Sequence, residues 1–175
     1  MITVVEPPRK ADVADNVHRK TFLEKLVKDN GFTRGAELGV QTGVTYFHLI
    51  DNCPDLTLIG VDAWIYPQFQ KDYDLCREYV EQTAKDNPRA IIMRMTTNNA
   101  VKQVPDTSLD FIFIDADHSY SAVKSDIINW LPKIKPGGYI TGHDIGTPSV
   151  KKAVDEILGP LTYSIDINEV WYKKV

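Results

Sequence analysis

Cysteine is scarce in this 175-residue chain: there are two, Cys53 and Cys76, in no CxxC and in no Cys/His spacing of a zinc site. That excludes a disulfide scaffold and a zinc-ribbon fold, and predicts two thiols in a reducing compartment. A basic stripe is also missing. The 20 Lys and Arg are scattered among 24 Asp and Glu, for a formal net charge of -4. A duplex-binding protein, whose affinity comes from neutralising phosphates, is not built this way. A few local basic residues could still meet an anionic small molecule. No apolar run approaches the ~20 residues a membrane span needs. The opening stretch MITVVEPPRKADVAD lacks the apolar core of a signal peptide. Internal repeats and low-complexity tracts are absent as well. The expectation is a cytoplasmic protein with neither nucleic acid nor membrane as partner.

What the chain does have is an ordinary globular balance, 43% hydrophobic and 25% charged, at a length that suits one core. Residues 1–11, with Pro7-Pro8, read as an irregular arm, and 12–175 as a single domain. From about 12 to 29 the pattern is helical, with Val13, Val17, Phe22, Leu23, Leu26 and Val27 near one face and Asn30-Gly31 as its stop. A rhythm follows. Short runs rich in Val, Ile and Phe, at 35–40, 57–63, 90–95, 110–116, 137–144, 162–167 and 170–175, read as strands. Between them lie helical segments at about 43–51, 67–86, 97–103, 119–131 and 148–158. Alternating β and α predicts an α/β fold with a mostly parallel, doubly wound sheet of seven strands. The run Phe111-Ile112-Phe113-Ile114, apolar at every position, is what a central strand buried on both faces requires. Only Asn168-Glu169 separates the last two strands, too few residues for a crossover, so that pair is predicted to be an antiparallel hairpin. The stretch LPKIKPGGYI, with Pro136 before Gly137-Gly138, reads as a reversing turn into the fifth strand.

In such sheets ligands sit beyond the carboxyl ends of the strands, and the acids of this sequence collect there. The first strand leads into AELGVQTGVTYFHLI, with Glu37, Gly39 and Gly43 before a helix. Glycines let the chain turn and a ligand approach, and the helix offers N–H groups at its start. This is not GxGxxG, and an acid there repels a pyrophosphate and favours a ligand carrying an amine; a turn that binds nothing is the plainer alternative. Asp62, at the tip of the second strand, is placed either to accept bonds from two ribose hydroxyls or to cap a helix. Thr96, Thr97 and Asn98 are suited to capping the next helix and also to touching an adenine edge. The fourth strand ends in FIDADHSY and the fifth in GYITGHD, which would aim Asp115, Asp117, His118, His143 and Asp144 into one volume. Crowded carboxylates repel unless a cation or a proton relieves them. Oxygen ligands suit magnesium or manganese, and histidine admits manganese, iron or zinc. Hydrogen bonds between the two loops are the plainer reading.

Together these pieces resemble a class I S-adenosylmethionine-dependent methyltransferase. Within that superfamily the chain is similar to the small methyltransferase-domain family with the signature FIDxDHSY…LKPGG…GHD, here FIDADHSYSAVKSDIINWLPKIKPGGYITGHD. The resemblance covers nearly all of the chain after residue 30 and is most specific from Asp110 to Leu158. It implies a Rossmann-like sheet of order 3-2-1-4-5-7-6 with strand 7 antiparallel. It implies S-adenosyl-L-methionine as cofactor, with Glu37, Gly39 and Gly43 on the methionine part, Asp62 on the ribose, Thr97 and Asn98 near the adenine, and Asp115 near the methionine end. From the cation-dependent relatives it implies Mg2+ or Mn2+ on Asp115, His143 and Asp144. The lysine base of those relatives falls here on His118, and their Asp-Asn pair on His143-Asp144; both are departures. Lid residues, absent as a long insertion, are sought in the arm and in WIYPQFQKDY (64–73).

The activity expected is O-methylation of a small molecule such as a phenol or sugar, by in-line displacement that depends mainly on positioning. His118, and after it Asp117 and His143, are the proton acceptors considered. The competing readings are a methyltransferase acting on protein or nucleic acid, an NAD-binding enzyme, and a non-catalytic binding module that keeps the fold. Acidic composition and the lack of an Asn/Asp-Pro-Pro-Tyr/Phe motif weigh against a nucleic-acid target, and Glu37 weighs against NAD. The partner expected is the small-molecule methyl acceptor, with a homodimer as the assembly considered.

Overall fold

The computed structural model of the chain describes residues 13–160, 163–166 and 169–175. The arm expected over 1–11 and the hairpin residue Asn168 lie outside the described residues. Helix α1 (Val13–Asn30) comes first. Then β1 (Arg34–Leu38), α2 (Val44–Asn52), β2 (Thr57–Asp62), α3 (Gln70–Ala84) and β3 (Ala90–Arg94) follow in alternation. The short α4 (Thr97–Ala100) leads to β4 (Leu109–Ile114), α5 (Tyr120–Trp130), β5 (Ile134–Gly142) and α6 (Pro148–Leu158). The two-residue β6 (Ser164–Ile165) and β7 (Trp171–Lys174) close the chain. The sheet order is β3-β2-β1-β4-β5-β7-β6. Strands β1 to β5 pair in parallel, and β7 runs antiparallel to β5 and β6. This is the seven-stranded, Rossmann-like sheet expected.

The β4 run shows why apolarity at every position was needed. Ile112 and Ile114 join a core with Val123, Ile127, Trp130, Val150 and Trp171 on one face. Phe111 and Phe113 join Leu23, Tyr46, Leu49 and Val80 on the other. Both faces of the strand are therefore dry, as a central parallel strand requires. Ser119 caps α5, its Oγ accepting from Ala122 N–H at 3.4 Å. Cys53 and Cys76 are buried and form no disulfide. No described helix is long and apolar enough to cross a membrane.

One expectation is corrected. The Lys133–Gly138 stretch does not reverse the chain. Strand β5 already pairs at Ile134 with Leu109, then shifts register, and pairs Tyr139 with Phe111. Residues 135–138 are thus a bulge within β5. Lys135 meets Asp110 at 2.7 Å, and Gly137 and Gly138 exchange backbone bonds with Val175. The Pro-Gly-Gly chemistry that suggests a turn serves an interruption of the ladder instead.

Arg89, just before β3, holds the far end of α2. Its guanidinium donates to the carbonyls of Ile50 (2.9 Å), Cys53 (3.1 Å) and Leu56 (3.1 Å). These carbonyls belong to a helix end and the turn after it, where the intrahelical ladder runs out. Arg89→Ala is expected to lower unfolding free energy by about 2 kcal/mol in a urea titration, with Arg89→Lys between it and the wild type. An unchanged midpoint would show that water replaces the guanidinium at no cost.

Candidate active site

The sheet order sets β1, β4 and β5 side by side, with the switch of direction between β1 and β4. At this junction the two loops touch. Asp115 N–H donates to Leu38 O at 2.8 Å, and Gly39 N–H donates to Val61 O at 2.8 Å. Gly39 lies at φ +94, and a Cβ there would fall 2.0 Å from the Asp115 carbonyl oxygen. Only glycine fits between these strands. Gly43 opens α2 at φ 78, with no side-chain cap.

Glu37 sits in the middle of the sheet, paired with Gly60 on one side and Phe113 on the other. It is 3% exposed, and its Oε2 meets no hydrogen-bond donor among the described residues. Burial pushes its carboxyl well above the usual range; Arg19 opposes this, and Asp115 and Asp62 add to it. A buried carboxyl oxygen with no donor among the described residues fits a ligand that brings an N–H donor, and an ammonium there would favour the ionised form.

Asp62 clamps two loops. Its Oδ2 accepts from Gln41 N–H (2.8 Å) and its Oδ1 from Trp64 N–H (2.7 Å). Gln41 and Trp64 are both in the left-handed region, at φ 46 and 48. The Trp64 indole N–H returns a bond to Gln41 O at 2.8 Å. Asp62 caps no helix; its carboxylate is directed at the backbone N–H groups of both loops. Burial raises its pKa in spite of the backbone bonds.

Thr96 occupies the position before α4 without a side-chain cap bond. The next two side chains turn to α5. Thr97 bonds Asp126, whose pKa burial raises to about 6. Asn98 Oδ1 accepts from Ser125 Oγ (2.9 Å) and Asn129 Nδ2 (3.2 Å).

The tips of β4 and β5 form a chain of charges. His118 Nε2 lies 3.4 Å from Asp115 Oδ1 and 3.0 Å from Asp144 Oδ2. His143 Nδ1 approaches the same Asp144 oxygen at 3.2 Å. Asp115 and Asp144 push the His118 imidazole up to about 10. His118 and then His143 hold Asp144 well below the usual carboxylate range. Burial works against charge on His143, but Asp144 and Asp115 outweigh it and its pKa rises. Asp115, His118 and Asp144 each offer one ligand atom within 4.8 Å of the others, close enough to share a cation once His118 gives up its proton. Among the described residues the His143 ring reaches Asp144, and its Nε2 is buried with no hydrogen-bond partner there. His143, expected beside Asp115 and Asp144 as a cation ligand, is not among these three groups; His118 is. Asp117 turns away to accept from Ser119 N–H at 2.8 Å.

One residue has no precursor in the sequence reading. Arg19, on α1, places Nη1 2.6 Å from Asp115 Oδ2. It sits on α1, 96 positions from its partner, and no local pattern marks it.

A family model described as a methyltransferase domain matches residues 36–145. The chain is 29% identical over 119 residues to y4gI, an uncharacterized protein of Sinorhizobium fredii; the match takes in 63% of this chain and 13% of that protein. The chain thus spans about an eighth of that relative's length. Among solved structures, an O-methyltransferase from Bacillus cereus in complex with SAH superposes with a TM-score of 0.68 at 18% identity, covering 95% of this chain and 84% of that one. The O-methyltransferase NovP gives 0.69 at 17%, covering 91% and 79%. The SAH-bound methyltransferase PaMTH1 of Podospora anserina gives 0.67 at 14%, covering 90% and 78%.

Glu37 carries a consequence for stability. The folded chain keeps its proton where the unfolded chain has lost it. Stability therefore drops as pH rises from the unfolded carboxyl pKa, about 4.3, toward the raised folded value. Glu37→Gln removes that loss. The variant is expected to melt above the wild type at pH 8 by more than at pH 5. A gap that is constant with pH, or of the opposite sign, would contradict a carboxyl destabilised by burial.

Proposed function

The chain belongs to the methyltransferase-domain family and has the fold of S-adenosylmethionine-dependent O-methyltransferases, and on that premise we propose that it methylates a hydroxyl of a small molecule with the help of a divalent cation. The observation that carries this reading is the charge chain Asp115–His118–Asp144 at the strand tips, together with the buried Glu37 carboxyl, whose Oε2 has no donor among the described residues. Glu37 and the β1 loop would hold the methionine part of the cofactor, and Asp62 the ribose hydroxyls. S-adenosylmethionine, when bound, supplies an electrophilic methyl group on a sulfonium. The chain's work is then placement and charge. The β4 and β5 loops present the acceptor hydroxyl to that methyl. Asp115, His118 and Asp144 would seat Mg2+ or Mn2+, which supplies Lewis-acid charge that lowers the pKa of an adjacent hydroxyl. The few basic residues and the acidic balance favour a small-molecule acceptor over a nucleic acid.

A second, cation-free reading is favoured by one distance pair. The Asp144 oxygen lies 3.0 Å from His118 and 3.2 Å from His143, so the three groups form a relay that can pass a proton among them, with His118, its pKa raised to about 10, free to accept one from substrate only once it has given up its own. The two readings exclude each other at one atom. His118 Nε2 cannot hold a cation and take up a proton at once.

Calorimetry with S-adenosylhomocysteine, NAD as control, tests the cofactor. Binding in the micromolar range with NAD silent is expected, and no binding by folded protein would overturn the methyltransferase reading. Turnover on a panel of phenols and sugars, read as homocysteine-form product, tests the cation. EDTA is expected to abolish it, Mg2+ or Mn2+ to restore it, and Asp144→Asn to lower it about 10- to 100-fold. Full activity in EDTA would select the relay.

A further inference from the structure

We propose that Arg19 is the carboxylate-binding residue of this site, and that α1 takes part in recognising the amino-acid end of the ligand. This rests on the cofactor reading above and goes beyond it, since nothing in that reading needs a residue from outside the region 36–145 that the family model covers.

The geometry is that of a split zwitterion site. An α-amino acid presents one cationic and one anionic group a few ångströms apart. At the β1–β4 junction the protein presents the converse pair. Arg19 Nη1 stands 2.6 Å from Asp115 Oδ2, and both side chains are mostly buried, at 17% and 14% exposed. Glu37 lies close enough that the Arg19 charge opposes its raised pKa, and its Oε2 has no donor among the described residues. An ammonium entering here meets Glu37 and Asp115. It takes over part of the charge that Asp115 now shares with Arg19. The guanidinium then faces the ligand's carboxylate, for which its planar fork of donors is shaped.

The fold alone gives little reason for the pair. A partly buried ion pair contributes little net stability, because desolvation offsets its attraction. Asp115 is already fixed by its backbone bond to Leu38 and by His118. What the pair does accomplish is to bring a cation from α1 to Asp115, close enough that its charge also acts on the buried Glu37.

The test uses three ligands that differ only at the amino-acid end: S-adenosylhomocysteine, its decarboxylated amine analogue, and 5'-methylthioadenosine, which lacks both groups. Each is titrated calorimetrically into wild type, Arg19→Met and Arg19→Lys, with thermal melts to confirm folding. Arg19→Met is expected to weaken S-adenosylhomocysteine about 10- to 100-fold. It should leave 5'-methylthioadenosine and the decarboxylated analogue within about twofold of their wild-type values, where twofold is under 0.5 kcal/mol. Arg19→Lys should recover part of the loss. Equal weakening of all three ligands would mean that Arg19 only supports the fold. Tighter binding of S-adenosylhomocysteine to Arg19→Met would mean that Arg19 blocks the site. Either result, or no change, overturns the proposal while leaving the cofactor reading intact. A wild type that binds none of the three overturns both.

Discussion

The contact between two backbone loops governs this molecule. Where β1 and β4 end, Gly39 and the Asp115 carbonyl approach so closely that no side chain could stand between them. The hydrogen bond from Asp115 N–H to Leu38 O fixes the same junction from the other side. The placement of Glu37 depends on this closeness, as does the reach of Arg19 to Asp115. So does the distance from β4 to the β5 tip that carries His143 and Asp144. The sheet is the rigid element, and the site is what its central tips hold in common.

Much of the fold was legible because its signals are local. The Phe111–Ile114 run could only be a strand dry on both faces, and it splits its residues between two cores. The segment at 119–131 read as a helix, and α5 fills it with the Ser119 hydroxyl as its cap. Pro136-Gly137-Gly138 misled for the same reason. Its turn chemistry is real, but pairing of Ile134 with Leu109 and of Tyr139 with Phe111 turns it into a bulge. Tertiary pairing overrode a correct local reading.

The site was legible to the extent that strand tips are. Acids at the ends of β1, β2, β4 and β5 were found from sequence, and the structure gathers Asp115 and Asp144 around one imidazole. Which imidazole lies between Asp115 and Asp144 was not legible. His143 is the nearer neighbour in sequence, yet Asp144 lies in the left-handed region at φ 57, which turns the backbone between the two. Its carboxylate then lies between His118 and His143 rather than beside one of them. Thr97 and Asn98 illustrate a different limit. Their position after β3 was read correctly, but polar partners on α5 engage their side chains. Arg19 had no local signal at all, because its meaning depends on a contact 96 residues away.

The tryptophans give the site its own optical reporter. Of the three in the sequence, Trp64 donates its indole N–H to Gln41 O, beside Asp62, and Trp171 donates to His143 O, beside Asp144. Both rings are fully packed, at 1% and 0% exposed. The two indoles thus flank the site from its opposite loops, each tethered to the backbone that a ligand would press upon. Emission wavelength and near-ultraviolet dichroism of the unlabelled protein accordingly arise in large part from chromophores bonded to the site's own walls.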